Sequence, residues 1–411
     1  MGENLISEHV ALDLVEAKEG QISFLVPREN LLKSIRNKHW KPVFYNPIME
    51  FNRDLSVVAI ECHRKNVSRD IRVLDAMTGC GVRGIRYAVE VQNVAHVLLN
   101  DVQRTASELA IENVKRNNVG DRVEISRMDA NSVLALNSAP DSRFDVIDLD
   151  PFGSPAPFMD SAVRASANKA LMTLTATDLP PLCGIRPGAA LRKYGGRPLR
   201  TEYCQEVGAR LLIASLAAIA ARHDMGIDVK LAHSTDHYIR IYAMVRHGSK
   251  IASQALDRLG YIAHCFCCSN REWSSRLFNI GTDCKICGQR YAFAGPVWLG
   301  NLYDKKFCDN MLQIVATKKL GKKSRVIRLL KMVLNDVDYI PTYHRIDRLC
   351  DRYQIPTPKP ECVVEELRTL GYVASLTHFH GYGIRTEAGP KILMQILREL
   401  SQKTHSQQID L

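Results

Sequence analysis

Between residues 71 and 177 this chain repeats a pattern that few folds accommodate. A short apolar run ends in a polar residue, a turn follows, and then comes an amphipathic helix. Ile71-Arg72-Val73-Leu74-Asp75 reads as a strand and runs into Thr78-Gly79-Cys80-Gly81-Val82-Arg83-Gly84, with a helix from about Ile85. His96-Val97-Leu98-Leu99-Asn100-Asp101 reads as a second strand, followed by a helix to Asn117. Val123-Glu124-Ile125-Ser126 is a third strand, followed by Met128-Asp129-Ala130. Residues 145–149 and 170–177 supply a fourth and a fifth. Such alternation implies right-handed crossovers, hence a parallel α/β sheet. In such sheets ligands gather outside the carboxyl ends of the strands. Helical spacing of Leu55, Val58, Ala59 and Cys62 predicts a helix over 52–65, and 202–221 reads as an apolar helix. Residues 229–233 and 238–245 look like an antiparallel edge pair, which closes this module near residue 250.

The strand ends carry the chemistry. Gly79, Gly81 and Gly84 form a G-x-G-x-x-G turn, which either binds a nucleotide-like ligand or only packs helix on strand. Asp101 lies 20 residues after Gly81, placed to accept hydrogen bonds from ribose hydroxyls. Asp129, with Ala130 beside it, is placed for an exocyclic adenine amine. A nicotinamide enzyme has use for the same parts. The fourth strand separates the two readings, because it ends in Asp150-Pro151-Phe152-Gly153. An acid, a rigid proline and an aromatic ring suit a planar base whose amine is held by the acid and whose face stacks on the ring. An isolated acid there would cap the next helix instead.

The 411 residues suffice for two or three domains, and 46% hydrophobic with 24% charged residues is ordinary for a soluble globular chain. No uninterrupted apolar run reaches a membrane span, and residues 1–20 are polar and acidic, so we expect a cytoplasmic protein, or a nuclear one in a cell with a nucleus. The net charge of +11 is uneven: residues 1–250 carry +3 and residues 251–411 carry +8. A basic second half joined to a near-neutral first half points to a catalytic module with a polyanion-binding partner module.

Five of the twelve cysteines fall between 265 and 287. Cys265-x2-Cys268 and Cys284-x2-Cys287 are two half-sites 15 residues apart, the spacing of a zinc ribbon at about 262–292. Four thiolates leave no open position, so such a zinc is structural. Cys267 is the odd one out. Further on, helices over 324–334, 343–353 and 361–370, a strand–turn–strand over 372–386 and a helix over 389–401 resemble a winged helix.

Taken together, the blocks Phe44-Tyr45-Asn46-Pro47, Asn52-Arg53-Asp54-Leu55, Asp75 to Arg86, Asn100-Asp101, Asp150-Pro151-Phe152-Gly153-Ser154-Pro155, Thr175-Ala176-Thr177-Asp178, Leu182-Cys183-Gly184, Lys193-Tyr194-Gly195, Thr377-His378-Phe379 and Arg385-Thr386 resemble the tRNA (guanine-26-N2) dimethyltransferases. The resemblance covers nearly the whole chain. It implies a class I Rossmann-like fold binding S-adenosyl-L-methionine (SAM) over 1–250 and a C-terminal α+β tRNA-binding domain with the zinc ribbon over 251–411. It implies that Arg53 and Arg83 contact the SAM carboxylate, Asp101 the ribose, and Asp129 and Ala130 the adenine. Asp150 is then the catalytic acid group, with Phe44 and Phe152 holding the flipped guanine. We expect tRNA as partner, one structural zinc and a monomer. The competing readings are a methyltransferase for another RNA, DNA or protein amine, and an inactive zinc-ribbon RNA-binding protein.

Overall fold

The structure, a computed structural model, describes residues 12–31, 43–337 and 339–409. The first half of the acidic N-terminal stretch therefore lies outside the described residues. The chain forms two compact units. The first runs to Val133 and takes in Lys318–Lys323; the second comprises the rest.

The first unit opens with an antiparallel hairpin, β1 (Leu14–Glu19) and β2 (Ile22–Pro27). The parallel strands β3 (Ile71–Asp75), β4 (Val94–Asn100) and β5 (Val123–Ser126) then lie in the order β5-β4-β3. Helices Glu50–Arg64, Val82–Glu90 and Arg104–Arg116 accompany them. The hairpin docks through two asparagines one turn apart. Asn113 and Asn117 each bond both the N–H and the C=O of one β2 residue, Leu25 and Ser23, at 2.6–3.3 Å. Residues two apart on a strand match residues four apart on a helix, so the helix stands in for a neighbouring strand. No strand was expected here, although Ile22, Phe24 and Val26 alternate and are buried.

In the second unit, β6 (Phe144–Leu149) pairs in parallel with β7 (Ser166–Ala176), β9 (Tyr238–His247) lies antiparallel to β7, and β8 (Met225–Thr235) is outermost. The expected edge pair is therefore present. Helix Cys204–Ala221 is apolar enough by length and composition to cross a membrane, which the sequence reading did not anticipate. It is instead a core helix, 72% buried and packed on β8, β9 and the strand Ala292–Trp298. β12 (Ala292–Trp298) belongs to a second antiparallel sheet with β10 (Leu259–His264) and β11 (Arg271–Ser274), in the order β11-β10-β12.

The tail carries helix Lys323–Asn335, β13 (His344–Arg345), helices Ile346–Tyr353 and Pro360–Thr369, β14 (Ala374–Leu376), β15 (Gly383–Thr386) and helix Pro390–Ile409. Residues 344–345 were expected in the second of these helices; they pair with β15 instead. Ile346, Val363, Leu367, Ile384, Leu393 and Leu397 form one core there. Arg385, only 1% exposed, fixes this module. Its guanidinium donates to Glu206 at 3.0 Å, to Asp336 at 3.0 Å and to the carbonyls of Ile340 and Thr342 at 2.6 and 2.9 Å. A buried cation needs such saturation. The Arg385-Thr386 block is therefore a structural element.

Candidate active site and metal centre

In the first unit the three strand ends are tied together by Asn100, the last residue of β4. Its buried amide donates to the carbonyls of Ala76 (3.1 Å) and Met128 (3.0 Å) and accepts from the Met128 N–H (3.1 Å). Asp101 follows and accepts from the Gly79 N–H at 2.9 Å and the Gln103 N–H at 2.9 Å. Two of the glycines are dictated by geometry. Gly79 has φ +57°, and a Cβ there would lie 2.9 Å from the Phe44 carbonyl oxygen. A Cβ on Gly84 would lie 2.1 Å from Leu99, so close helix–strand packing requires glycine there. Phe44 is thus brought against the glycine turn, and its ring is 38% exposed. Asp129 is exposed and caps helix Ala130–Leu136 through the N–H groups of Asn131 (2.9 Å) and Ser132 (3.2 Å), with Ala130 buried beside it.

The two arginines lie close enough for Arg83 to disfavour the charge on Arg53, yet both are buried. Arg83 Nη1 lies 3.3 Å from the Ser56 hydroxyl and 3.4 Å from that of Tyr87. Arg53 donates Nε to Glu19 at 2.8 Å and Nη2 to Glu19 and to the Asn46 carbonyl, and lies 5.0 Å over the Tyr45 ring. Nη1 is the nitrogen of Arg53 without a hydrogen bond among the described residues. Burial alone would raise the Glu19 carboxyl, but the Arg53 charge and hydrogen bonds outweigh it and hold it below its usual range.

In the second unit the two acids of Asp148-Leu149-Asp150 part company. Asp148 is fully buried in β6 and forms a bidentate pair with Arg240 of β9, at 2.9 and 2.7 Å. Asp150 lies just past the strand end, partly exposed, and Phe152 presents its ring to solvent at 75% exposure. Gly153 is held to Thr177, the residue after β7, by two hydrogen bonds of 2.8 and 2.9 Å. An exposed ring beside a strand-end carboxylate has no role in the core.

The four cysteine sulfurs of residues 265, 268, 284 and 287 all lie within 4.8 Å of one another, with Cys265···Cys287 at 3.4 Å and Cys268···Cys284 at 3.5 Å. Zinc–sulfur bonds of about 2.3 Å in a tetrahedron place sulfurs about 3.8 Å apart, so the donor set fits one zinc. The two halves are built alike. In each, the first cysteine N–H donates five residues onward (Asn270, Gln289), and its carbonyl accepts from the residue four on (Ser269, Gly288). Ser269 and Gly288 both have positive φ, +62° and +71°. Cys267 is exposed and lies outside the set, and its carbonyl accepts from Arg352 at 3.2 Å.

The profile of the N2,N2-dimethylguanosine tRNA methyltransferase family matches residues 20–398. The chain belongs to this family. The tRNA (guanine(26)-N(2))-dimethyltransferase of Methanothermobacter thermautotrophicus is 39% identical over 389 residues, covering 94% of this chain and 99% of that one. That of Methanobrevibacter smithii is 39% identical over 361 residues, covering 88% and 92%. The structure of Trm1 from Pyrococcus horikoshii, a complex with S-adenosyl-L-methionine, superposes with a TM-score of 0.81 at 36% identity, over 93% of this chain and all of that one. The expected fold is thereby shown.

Within this family member, the structure gathers Asp101, Phe44 and the glycine turn in one place, and Asp150 and Phe152 in another. Arg53 is held by an acid that sequence reasoning missed. Glu19 sits in a weakly patterned segment, and only its position between alternating apolar residues hinted at burial. Tyr194, Asp178 and Ser154 were noted within family blocks but without a role.

Proposed function

We propose that this methyltransferase family member transfers methyl groups from SAM to the exocyclic N2 of guanine-26 in tRNA, giving N2-methyl- and then N2,N2-dimethylguanosine. The observation that carries the reading is the turn after β6, where a partly exposed carboxylate, Asp150, stands two residues from an exposed ring, Phe152. The guanine N2 lone pair is delocalised into the ring. A carboxylate accepting its N–H bonds raises electron density on nitrogen and takes the proton as the new bond forms. Phe152 and Phe44 stack the base, at about 1–3 kcal/mol per base, once it has left its helix. SAM supplies an activated methyl group when bound. Asp101 suits its ribose, Asp129 and Ala130 its adenine, and Arg83 with Nη1 of Arg53 its carboxylate.

Cys265, Cys268, Cys284 and Cys287 hold one structural zinc. The catalytic portion extends over 1–250 and the tRNA-binding portion over 251–411, in a cytoplasmic monomer. Lys305, Lys306, Arg328 and Lys331 are exposed cations suited to phosphate, whereas Arg325 is occupied by Asp236 at 2.8 Å. Transfer of labelled methyl to tRNA transcripts tests the reading. Asp150→Ala should lower transfer by about 100- to 10,000-fold, the range of general-base contributions, with SAM affinity within threefold. Normal methylation by the variant, or no transfer by the parent to guanine-26 tRNA, overturns it.

A further inference from the structure

The turn carrying Asp150 and Phe152 is part of a closed hydrogen-bonded ring. The Gly153 N–H donates to the Thr177 hydroxyl at 2.8 Å, and the Thr177 N–H donates to the Gly153 carbonyl at 2.9 Å. The next residue on each side extends the contact. The Ser154 hydroxyl lies 2.7 Å from the Tyr194 hydroxyl, which lies 2.6 Å from Asp178 Oδ1. Lys193 Nζ donates to Asp178 Oδ2 at 2.9 Å, and the Ala156 N–H donates to Ser154 Oγ at 3.3 Å.

The donor directions follow from the chemistry. An ionised carboxylate only accepts, so the Tyr194 proton points at Asp178. The Tyr194 oxygen then accepts from Ser154, and the Ser154 oxygen accepts from Ala156. Tyr194 is 3% exposed. Burial, and then the bond to Asp178, push its phenol far above the ordinary range, so the chain keeps its proton. Each link has one possible orientation, which makes the ring a rigid clamp on the turn.

We propose that Ser154, Tyr194, Asp178 and Thr177 are positioning residues that make the second methyl transfer possible, and so decide whether the product is mono- or dimethylguanosine. This rests on the reading of Asp150 as the acceptor of the N2 protons. Both transfers balance alike: a carbon–nitrogen bond forms, the donor's carbon–sulfur bond breaks with its electron pair leaving on sulfur, and one N2 proton passes to Asp150. The geometry required differs. In the first transfer N2 carries two hydrogens, and either one satisfies the carboxylate. In the second it carries one hydrogen and a methyl group. The remaining hydrogen must face Asp150 while the methyl takes the other side. Slack in the turn that the first step tolerates places the methyl against the carboxylate in the second.

Tyr194→Phe removes both central bonds and little volume; Ser154→Ala removes one of them together with the bond from the Ala156 N–H. Time courses of tRNA methylation, read by nucleoside mass spectrometry, give the two rate constants separately. In both variants the second should fall at least tenfold and the first less than threefold, so that N2-methylguanosine accumulates. A merely structural role lowers both steps together by reducing the active fraction. Equal loss in both steps, or no loss in either, overturns the proposal while leaving Asp150's role intact. Should Tyr194→Phe fail to fold, Ser154→Ala carries the test alone. Normal methylation by Asp150→Ala would instead remove the premise.

Discussion

Replacing Glu19 by Gln tests whether the buried acid at the end of β1 holds the arginine assigned to the donor's carboxylate. Glu19 is 3% exposed and accepts from the Tyr45 hydroxyl at 2.6 Å, from Arg53 through two nitrogens, and from Arg86 at 3.3 Å. Arg86 keeps Asp54 at 2.7 Å and Glu90 at 2.8 Å, so it stays compensated. Arg53 pairs with no other carboxylate among the described residues. Leaving a buried charge without its partner costs about 3–5 kcal/mol. The remaining glutamine oxygen preserves one charge-assisted hydrogen bond, about 1.5 kcal/mol. The net loss is then about 2–3 kcal/mol, which for a chain of 411 residues is a fall in Tm of about 2–4 °C.

The pH dependence has a definite sign. The folded-state carboxyl is held below its unfolded value of 4.5, so its contribution is full above that pH and is lost as pH falls further. The gap between variant and parent should therefore narrow below pH 4.5. Thermal melts at pH 7 and pH 4 measure this, with calorimetric SAM titration as second readout: a released Arg53 should weaken SAM binding about tenfold. A Tm within about 1 °C of the parent, with SAM affinity unchanged, would refute the assignment of Glu19 as the holder of Arg53.

Two further predictions concern the second unit. Dialysed protein should contain about one zinc per chain, and Cys284→Ser should abolish it; a full zinc complement in that variant would show that the donor set is different. Burial holds His233 and His344 well below the usual histidine value of 6.5, so both stay neutral when folded and take up protons on unfolding. Their stabilisation is full above pH 6.5 and declines as pH falls, by about 1.4 kcal/mol per pH unit for each. Urea titrations at pH 7, 6 and 5 should show this slope, and His344→Gln should lower it by about 1.4 kcal/mol per pH unit; a flat profile would contradict it.

How far the sequence could be read depended on the range of the interaction. Repeating strand–turn–helix units are local, so β3 to β9 and helices Glu50–Arg64, Val82–Glu90, Arg104–Arg116 and Cys204–Ala221 fell within a few residues of expectation. The cysteine spacing fixed the ribbon because the metal demands four donors at matched intervals. What escaped were pairings over long separations. Hairpin β1–β2 is completed by Asn113 and Asn117, about 90 residues away, and nothing local marks either asparagine as a strand partner. Residues 344–345 resembled the start of a helix, but β15, nearly 40 residues on, offered them a ladder. Tyr194 and Ser154 were visible as residues, yet their shared hydrogen bond exists only after the turn and the helix Pro187–Tyr194 have been brought together.

The acids around β6 show where such reasoning can be extended. Asp148 and Asp150 are two residues apart, and by composition alone each is a candidate for the catalytic group. The distinction lies in a second strand. Asp148 sits within an apolar run, where an unpaired charge is prohibitive. Ile239-Arg240-Ile241 is equally apolar around a single cation, and β7 brings Thr175 between them, at 2.6 Å from Arg240 Nη1. Asp148 and Arg240, each intruding into a buried strand of the same sheet, satisfy each other, because neither is tolerable alone; Asp145, also buried in β6, has no part in this pair. That pairing uses up Asp148, whereas the acid one step beyond the strand, where backbone and solvent meet, is the one our proposal uses. The same test, applied to any α/β chain with clustered acids, sorts structural from reactive carboxylates before a structure is known.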